Sequence, residues 1–133
     1  MRVCAVVVTY NRKTLLLRCL RALLEQSVPP QEIVVIDNAS TDGTRAALEE
    51  SGLLDRPGFE LITLPSNEGG AGGFHHGMAA ALARKSDLAW LMDDDGHPAA
   101  DCLEKLLQAA PSHDLWGPVV IDEAQPERLG FPL

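Results

Sequence analysis

Three consecutive carboxylates, Asp93, Asp94 and Asp95, close the apolar run 88–92 and are followed at once by Gly96. Acids this close repel one another unless a cation sits among them, and hard oxygen donors of this kind suit Mn²⁺ or Mg²⁺. Side chains alternate along an extended chain, so Asp93 and Asp95 are expected on one side, sharing a metal or a ligand, with Asp94 turned away. A second segment runs Asn67-Glu68-Gly69-Gly70-Ala71-Gly72-Gly73 directly before a helical pattern. Glycines let a backbone approach a ligand closely, and a helix amino terminus offers free N–H groups to phosphate oxygens, which marks Asn67, Gly69, Gly72 and Gly73 as candidates. The spacing is not that of a Rossmann fingerprint and there is no Walker lysine, which counts against a dinucleotide site or a P-loop. The third segment is the turn 37–43. There Asp37 is placed to accept a hydrogen bond from a base N–H or a ribose hydroxyl, whereas Asp42 reads as a turn and helix-start residue.

The elements that carry these groups follow one rhythm. Residues 3–8 are a short β-branched run that ends at Thr9, Tyr10 and Asn11, as expected of a buried parallel strand. Asn11 is placed to cap a helix whose apolar positions are Leu16, Cys19, Leu20 and Leu23, stopped by Pro29 and Pro30. The pattern repeats with a strand over 32–36, a cap at Ser40 or Thr41 and a helix over 44–50 that Gly52 ends. A third strand over 59–64 leads through the glycine turn to a helix with Phe74, Met78, Ala81 and Leu82 as its expected inner face. The fourth strand, 88–92, delivers the acids, after which Pro98 suits a first turn and Cys102, Leu103, Leu106 and Leu107 mark a fourth helix. Residues 115–121 are expected as a fifth strand, confined by Pro118 to an edge or a bulge, and 122–133 as a loop tail. Four βα units in succession predict a three-layer α/β/α fold with a mostly parallel sheet, whose ligands bind at the carboxyl ends of the strands. All three chemical segments fall there.

At 133 residues the chain has the size of one domain with a real core. Its net charge of -8 is uneven: residues 1–56 carry seven basic and seven acidic side chains, residues 57–133 four and twelve. That balance argues against nucleic-acid binding, which needs a cationic footprint, and favours a bound cation. Cys4, Cys19 and Cys102 are scattered through apolar stretches without ligand spacing and read as reduced core residues. The short apolar run after Arg2 is not a signal peptide, and no apolar stretch reaches the eighteen or so residues that span a bilayer, so the expected location is cytoplasmic, with any membrane association supplied by parts outside this sequence.

Taken in order, Val-Val-Thr-Tyr-Asn-Arg, Val-Ile-Asp-Asn-Ala-Ser-Thr-Asp-Gly-Thr, Asn-Glu-Gly-Gly-Ala-Gly-Gly-Phe and Leu-Met-Asp-Asp-Asp resemble family 2 glycosyltransferases of the GT-A fold, in the galactofuranosyltransferase and rhamnosyltransferase branch. The resemblance implies an inverting, metal-dependent transfer from a UDP- or dTDP-sugar to a glycan or lipid-linked acceptor, in cell-wall or polysaccharide biosynthesis. It places Thr9, Tyr10 and Asn11 at the nucleotide, Asp37 on the uracil or thymine ring, Asp93 on ribose or metal and Asp95 on the metal as a DXD motif, with Asp94 beside them. It also implies that residues 1–121 are the donor-binding half, that 122–133 lead toward an absent acceptor half, and that no catalytic base can be assigned. Relatives carry an arginine near the diphosphate where this chain has Phe74, followed by His75 and His76. Two other readings of the same pattern are a noncatalytic nucleotide-binding module and a metal-dependent phosphatase or nucleotidyltransferase. Against the last stand a first strand without a nucleophilic Asp and a glycine loop after the third strand instead of the first.

Overall fold

In the computed structural model of the chain, residues 1–109, 114–127, 129 and 130 are described. Four parallel strands form one sheet: β1 (Val3–Thr9), β2 (Glu32–Asp37), β3 (Phe59–Thr63) and β4 (Leu88–Asp93), in the order β3-β2-β1-β4. The helices are α1 (Lys13–Leu24), α2 (Thr44–Glu50), α3 (Gly69–Ala83) and α4 (Cys102–Gln108), with a 3₁₀ turn at Leu53–Asp55. Right-handed crossovers explain the layering. The β1-α1-β2 and β2-α2-β3 units step the same way along the sheet and share one face. The connection from β3 to β4 steps back past β2 and β1, so α3 must lie on the other.

The core divides accordingly. Ala5, Val7, Ile33 and Val35 meet Leu16, Cys19, Leu20 and Leu23 of α1 and Leu48 of α2. Cys4, Val6, Val8, Val34 and Ile36 meet Leu64 and Ala81 on the opposite side. Every residue of β1 is buried, as expected of a central strand covered on both faces. β4 alternates half-buried and exposed positions and is the edge, its far side unpaired among the described residues. Cys4 and Cys19 are buried free thiols in the core, as the sequence predicts, whereas Cys102, expected there too, is a free thiol only half-buried.

Helix α3 departs from its expected form. It starts inside the glycine segment at Gly69, and its buried residues are Gly73, Gly77 and Ala81, with Phe74 and Ala80 partly buried against the core. Met78 and Leu82, assigned to the inner face, are 47% and 78% exposed. The reason is proximity. A Cβ at Gly73 would stand 2.5 Å from Val8 Cγ1, and one at Gly77 would run into Val6 Cγ1. The glycine face thus lies directly on β1, and hydrophobicity alone misjudges the inward direction when the packing residues have no side chain.

Other boundaries also shift. Residues 115–120 form no strand: Leu115 and Val119 are 86% and 76% exposed, and Ile121 makes only an isolated antiparallel bridge to Leu129. Pro118 removes a ladder donor and Gly117 adds backbone freedom, so this segment has too few bonds to offset its ordering. Residues 122–127 are irregular, as expected, whereas Arg128 and 131–133 of the expected tail lie outside the described residues. Asn11 does not cap α1 and neither Ser40 nor Thr41 caps α2; the positions before those helices are Arg12 and Gly43, without side-chain caps. Pro98 sits in irregular chain before α4 instead of its first turn.

The close approach of α3 to the sheet gives a stability test by urea denaturation. Gly77→Ala is expected to lower stability by about 1–3 kcal/mol through overpacking against Val6. Gly70→Ala, where an added Cβ meets nothing within 4 Å, is expected to be neutral or to raise stability by up to about 1 kcal/mol.

Candidate functional site

Parallel register lines up the strand ends. Thr9 is level with Asp37, Asp37 with Thr63, and Val8 with Asp93, so Asp94 falls beside Thr9. The strand order reverses direction between β1 and β4, and in open α/β sheets the crevice at such a switch point takes the ligand. A cleft of about 510 Å³ opens there, lined by Val8, Thr9, Tyr10, Arg12, Asn38, Asn67, Gly69, Gly70, Asp93, Asp94 and Asp95. A second cleft of about 440 Å³, among Met1, Val3, Val28, Pro29, Gln31, Leu103 and Leu107, is mainly apolar and has no titratable side chain in its wall.

The acids divide by burial. Asp94 is the inner one, 4% exposed, where Thr9 Oγ1 donates to its Oδ2 at 2.9 Å and Arg12 Nη1 stands 3.4 Å from its Oδ1. It is therefore turned into the protein at the cleft wall, not away from the cleft. Asp93 and Asp95 are both exposed, although the chain is not extended there as expected but turns after Asp93, and Asp95 Oδ2 lies 3.9 Å from Arg12 Nη1. Partial burial, then the negative charges of Asp95 and Asp94, push the Asp93 pKa above the usual carboxylate range, with Arg12 opposing. Gly96 N–H closes the turn on Asp93 O at 3.0 Å.

Underneath lies Cys19, whose Sγ is 3.7 Å from Met92 Sδ and 3.8 Å from the Asp93 carbonyl oxygen. Burial, then the carboxylates of Asp94 and Asp95, drive its thiol up to about 12.

Opposite the acids, Asn38 joins β2 to α3. Its Nδ2 donates to Gly69 O and its Oδ1 accepts from Glu68 N–H, both at 3.1 Å. Asn67 Oδ1 accepts Gly69 N–H at 2.8 Å. The amino terminus of α3 is thereby held facing the acidic side, with its first-turn N–H groups lacking helical acceptors.

Two loops interlock at the rim. Asn11, in the left-handed region that asparagine tolerates, donates its N–H to Ser40 Oγ and accepts Thr41 N–H on Oδ1. Asp42 accepts Lys13 N–H and the Thr44 hydroxyl, so it serves the turn as the sequence suggested, and also the start of α1. Ala39 at φ +64 is strained, and Asp37 Oδ1, which accepts Ser40 N–H at 3.0 Å, helps hold it.

Of the residues assigned from sequence, Thr9, Tyr10, Asn67, Gly69, Asp93, Asp94 and Asp95 line the cleft. Asn11, Asp37, Gly72 and Gly73 do not: Asn11 and Asp37 brace loops, Gly72 makes way for the Glu68 side chain, and Gly73 packs on Val8. His75 and His76 stand against each other off the cleft, and His76 Nε2 pairs with Glu68 Oε2 at 3.1 Å. Asp122 and Glu123 lie on irregular chain, where Asp122 accepts the Ala124 N–H and Glu123 pairs with Arg18. Sequence reasoning missed Arg12, Asn38, Gly70 and Val8. Arg12 and Asn38 each follow a residue already singled out, and the turns that begin after β1 and β2 decide which of two adjacent side chains faces the cleft.

Among the described residues no group of three or more His, Cys, Asp or Glu is placed to hold a metal by itself. That does not conflict with a small hard cation, which uses one or two carboxylates and completes its shell with substrate phosphates and water. Asp93 and Asp95, both exposed at the cleft and close enough for Asp95 to raise the Asp93 pKa, fit such a role.

A family model described as glycosyl transferase family 2 matches residues 4–124. The chain is 40% identical, over 98% of its own length and 43% of the relative's, to galactofuranosyltransferase GlfT1 of Mycolicibacterium smegmatis. It is 31% identical, over 86% of its length and 46% of the relative's, to undecaprenyl-phosphate mannosyltransferase of Micrococcus luteus. It thus spans less than half of these curated relatives. Among solved structures it superposes on the mannosyltransferase PcManGT of Pyrobaculum calidifontis, in complex with GDP-Man and Mn²⁺, with a TM-score of 0.68 and 30% identity over 84% of this chain and 33% of that one. Against TarS 1-349 of S. aureus with UDP-GlcNAc the TM-score is 0.63 and the identity 25%, over 81% of this chain and 30% of that one. No helix among the described residues is long and apolar enough to cross a membrane.

Two measurements test this geometry. Thr9→Val removes the hydroxyl that satisfies a buried carboxylate and is expected to cost about 1–3 kcal/mol in urea denaturation, whereas Thr9→Ser keeps most of it. The Cys19 thiol is expected to resist alkylation at pH 9, reacting only on unfolding. Unfolded, it ionises near its ordinary value of 9.0, against about 12 when folded, so stability should fall as pH rises across that interval.

Proposed function

The chain belongs to glycosyl transferase family 2, and from that premise we propose that its cleft binds a nucleoside diphosphate sugar, with uracil or thymine as base, for inverting transfer to a hydroxyl of a glycan or lipid-linked acceptor. The observation that carries this reading is the facing of two unlike walls across one cleft: the acids ending β4 on one side and the amino terminus of α3 on the other. A diphosphate needs both. Thr9 and Tyr10 line the nucleoside end, the Asn67 amide nitrogen and the Gly70 N–H meet phosphate oxygens beside Gly69, and Asp93 and Asp95 hold Mn²⁺ or Mg²⁺. The bound ion would neutralise the charge that develops on the departing diphosphate.

The rest is positioning by this chain. Asp94, tied to Thr9, keeps the turn after β4 level with the end of β1. Asn38 holds the α3 terminus at a fixed height above the sheet. The sugar then projects toward the open side, where an acceptor oxygen can attack the anomeric carbon opposite the breaking bond as nucleoside diphosphate leaves. The named activities of the relatives support a galactofuranosyl or another hexosyl donor, and their greater length supports reading residues 1–121 as the donor-binding half.

Calorimetric titration of the chain with UDP, dTDP and GDP, each with and without Mn²⁺, tests the reading. UDP or dTDP is expected to bind more tightly with Mn²⁺ than without. Asp95→Asn is expected to weaken the metal-dependent part by at least about tenfold, or some 1.4 kcal/mol. Equal affinity with and without metal would remove Asp93 and Asp95 from the site, and a preference for GDP would overturn the base assignment.

A further inference from the structure

Arg12 is the one cationic side chain among the residues described as lining the cleft. Its guanidinium lies between two of the three acids, 3.4 Å from Asp94 and 3.9 Å from Asp95. Both contacts are long beside the roughly 2.7–2.9 Å of a tight charge-assisted bond, and no bidentate pair forms. The side chain is 55% exposed, so turning outward costs it little desolvation, and Thr9 Oγ1 remains bonded to the buried Asp94. Its backbone, by contrast, is anchored: Arg12 O accepts Leu16 N–H at 2.9 Å in the first turn of α1, and neighbouring Asn11 and Lys13 are bonded to the 40–42 loop. A fixed stem therefore carries a loosely held charge at the mouth of a site that must take up, in turn, a dication and a polyanion.

We propose that Arg12 is a displaceable counter-ion. With the cleft free of metal it screens Asp95 and Asp94 from each other. When a divalent cation occupies Asp93 and Asp95 the two positive charges repel, and Arg12 turns from Asp95 to a diphosphate oxygen of the nucleotide opposite, on the side of Gly69 and Gly70. Arg12 therefore opposes metal binding by itself and favours diphosphate binding once metal is present. A planar guanidinium suits both tasks, because it offers donors to carboxylate and phosphate oxygens alike.

This rests on the nucleotide-diphosphate reading above, and its signature is a pair of effects of opposite sign. The 133-residue chain and its Arg12→Ala and Arg12→Lys variants are titrated with Mn²⁺ alone, then with UDP and with UMP at saturating Mn²⁺. Arg12→Ala is expected to bind Mn²⁺ alone several-fold more tightly, to bind UDP on the order of tenfold more weakly, and to lose less for UMP, which lacks the second phosphate. Arg12→Lys, which keeps the charge but not the fork, is expected to fall between. Circular dichroism and a urea midpoint establish that each variant is folded before titration, and Arg12→Lys carries the test should Arg12→Ala fail to fold. Parallel losses, or no change in either affinity, overturn the role of Arg12 while leaving the nucleotide site standing. A parent chain that binds neither Mn²⁺ nor UDP overturns both.

Discussion

The buried carboxylate of Asp94 is the constraint around which the ligand edge is arranged. A charge at this depth must be partnered, and the partners are a hydroxyl from the end of β1 and a guanidinium from the following turn. Each tie fixes a different part of the site. Thr9 sets the height of the β4 turn relative to the central strand, and Arg12 places positive charge at the mouth. Asp93 ends the strand while Asp94 and Asp95 form the turn after it, and with Asp94 committed inward the carboxylates on either side of it stay exposed.

That arrangement needs β4 beside β1, which is a matter of topology. Two crossovers step outward through β2 and β3 and the third returns, leaving a reversal in strand order where the acids emerge. The return also carries α3 across β1 and β2 on the face opposite α1 and α2. Its glycine face then lets the helix descend onto Val6 and Val8, bringing its amino terminus to the level of the cleft. Gly73 and Gly77 act through the height of the helix, and Gly69 and Gly70 through the open wall above it. One glycine-rich segment thereby serves packing and the cleft wall at different positions, and residue type alone does not separate the two.

The site is electrostatically incomplete by design of its parts. Asp93 is pushed toward its protonated form by burial and by its neighbours, and Arg12 relieves only part of that repulsion. A hard cation between the carboxylates would relieve it more fully. At the rim, Asn11, Ser40, Thr41, Asp42 and Lys13 cross-link the two loops, so the backbone that carries Tyr10 and Arg12 is held in place.

Much of this was legible from residue order. Hydrophobic runs located β1, β2, β3 and β4 to within a residue or so, the βα rhythm implied parallel pairing, and three polar segments fell at strand ends, because local periodicity and turn chemistry are short-range properties. What escaped were properties of apposition. The inner face of α3 was misread toward Met78 and Leu82 because the true contact surface is made of absent side chains. The expected fifth strand had the residues for a strand but Pro118 and no partner, and strand formation is settled by the partner. Asp37 and Asn11, expected at the ligand, brace loops instead, while their neighbours Asn38 and Arg12 line the cleft, since which of two adjacent side chains faces a cleft depends on how neighbouring loops lock together. The sequence by itself determined the chemistry available, an acidic strand end and a glycine-rich helix start. Only the tertiary structure decided which of those atoms face one another, because that depends on the register of β4 against β1 and on the depth at which α3 settles on the sheet.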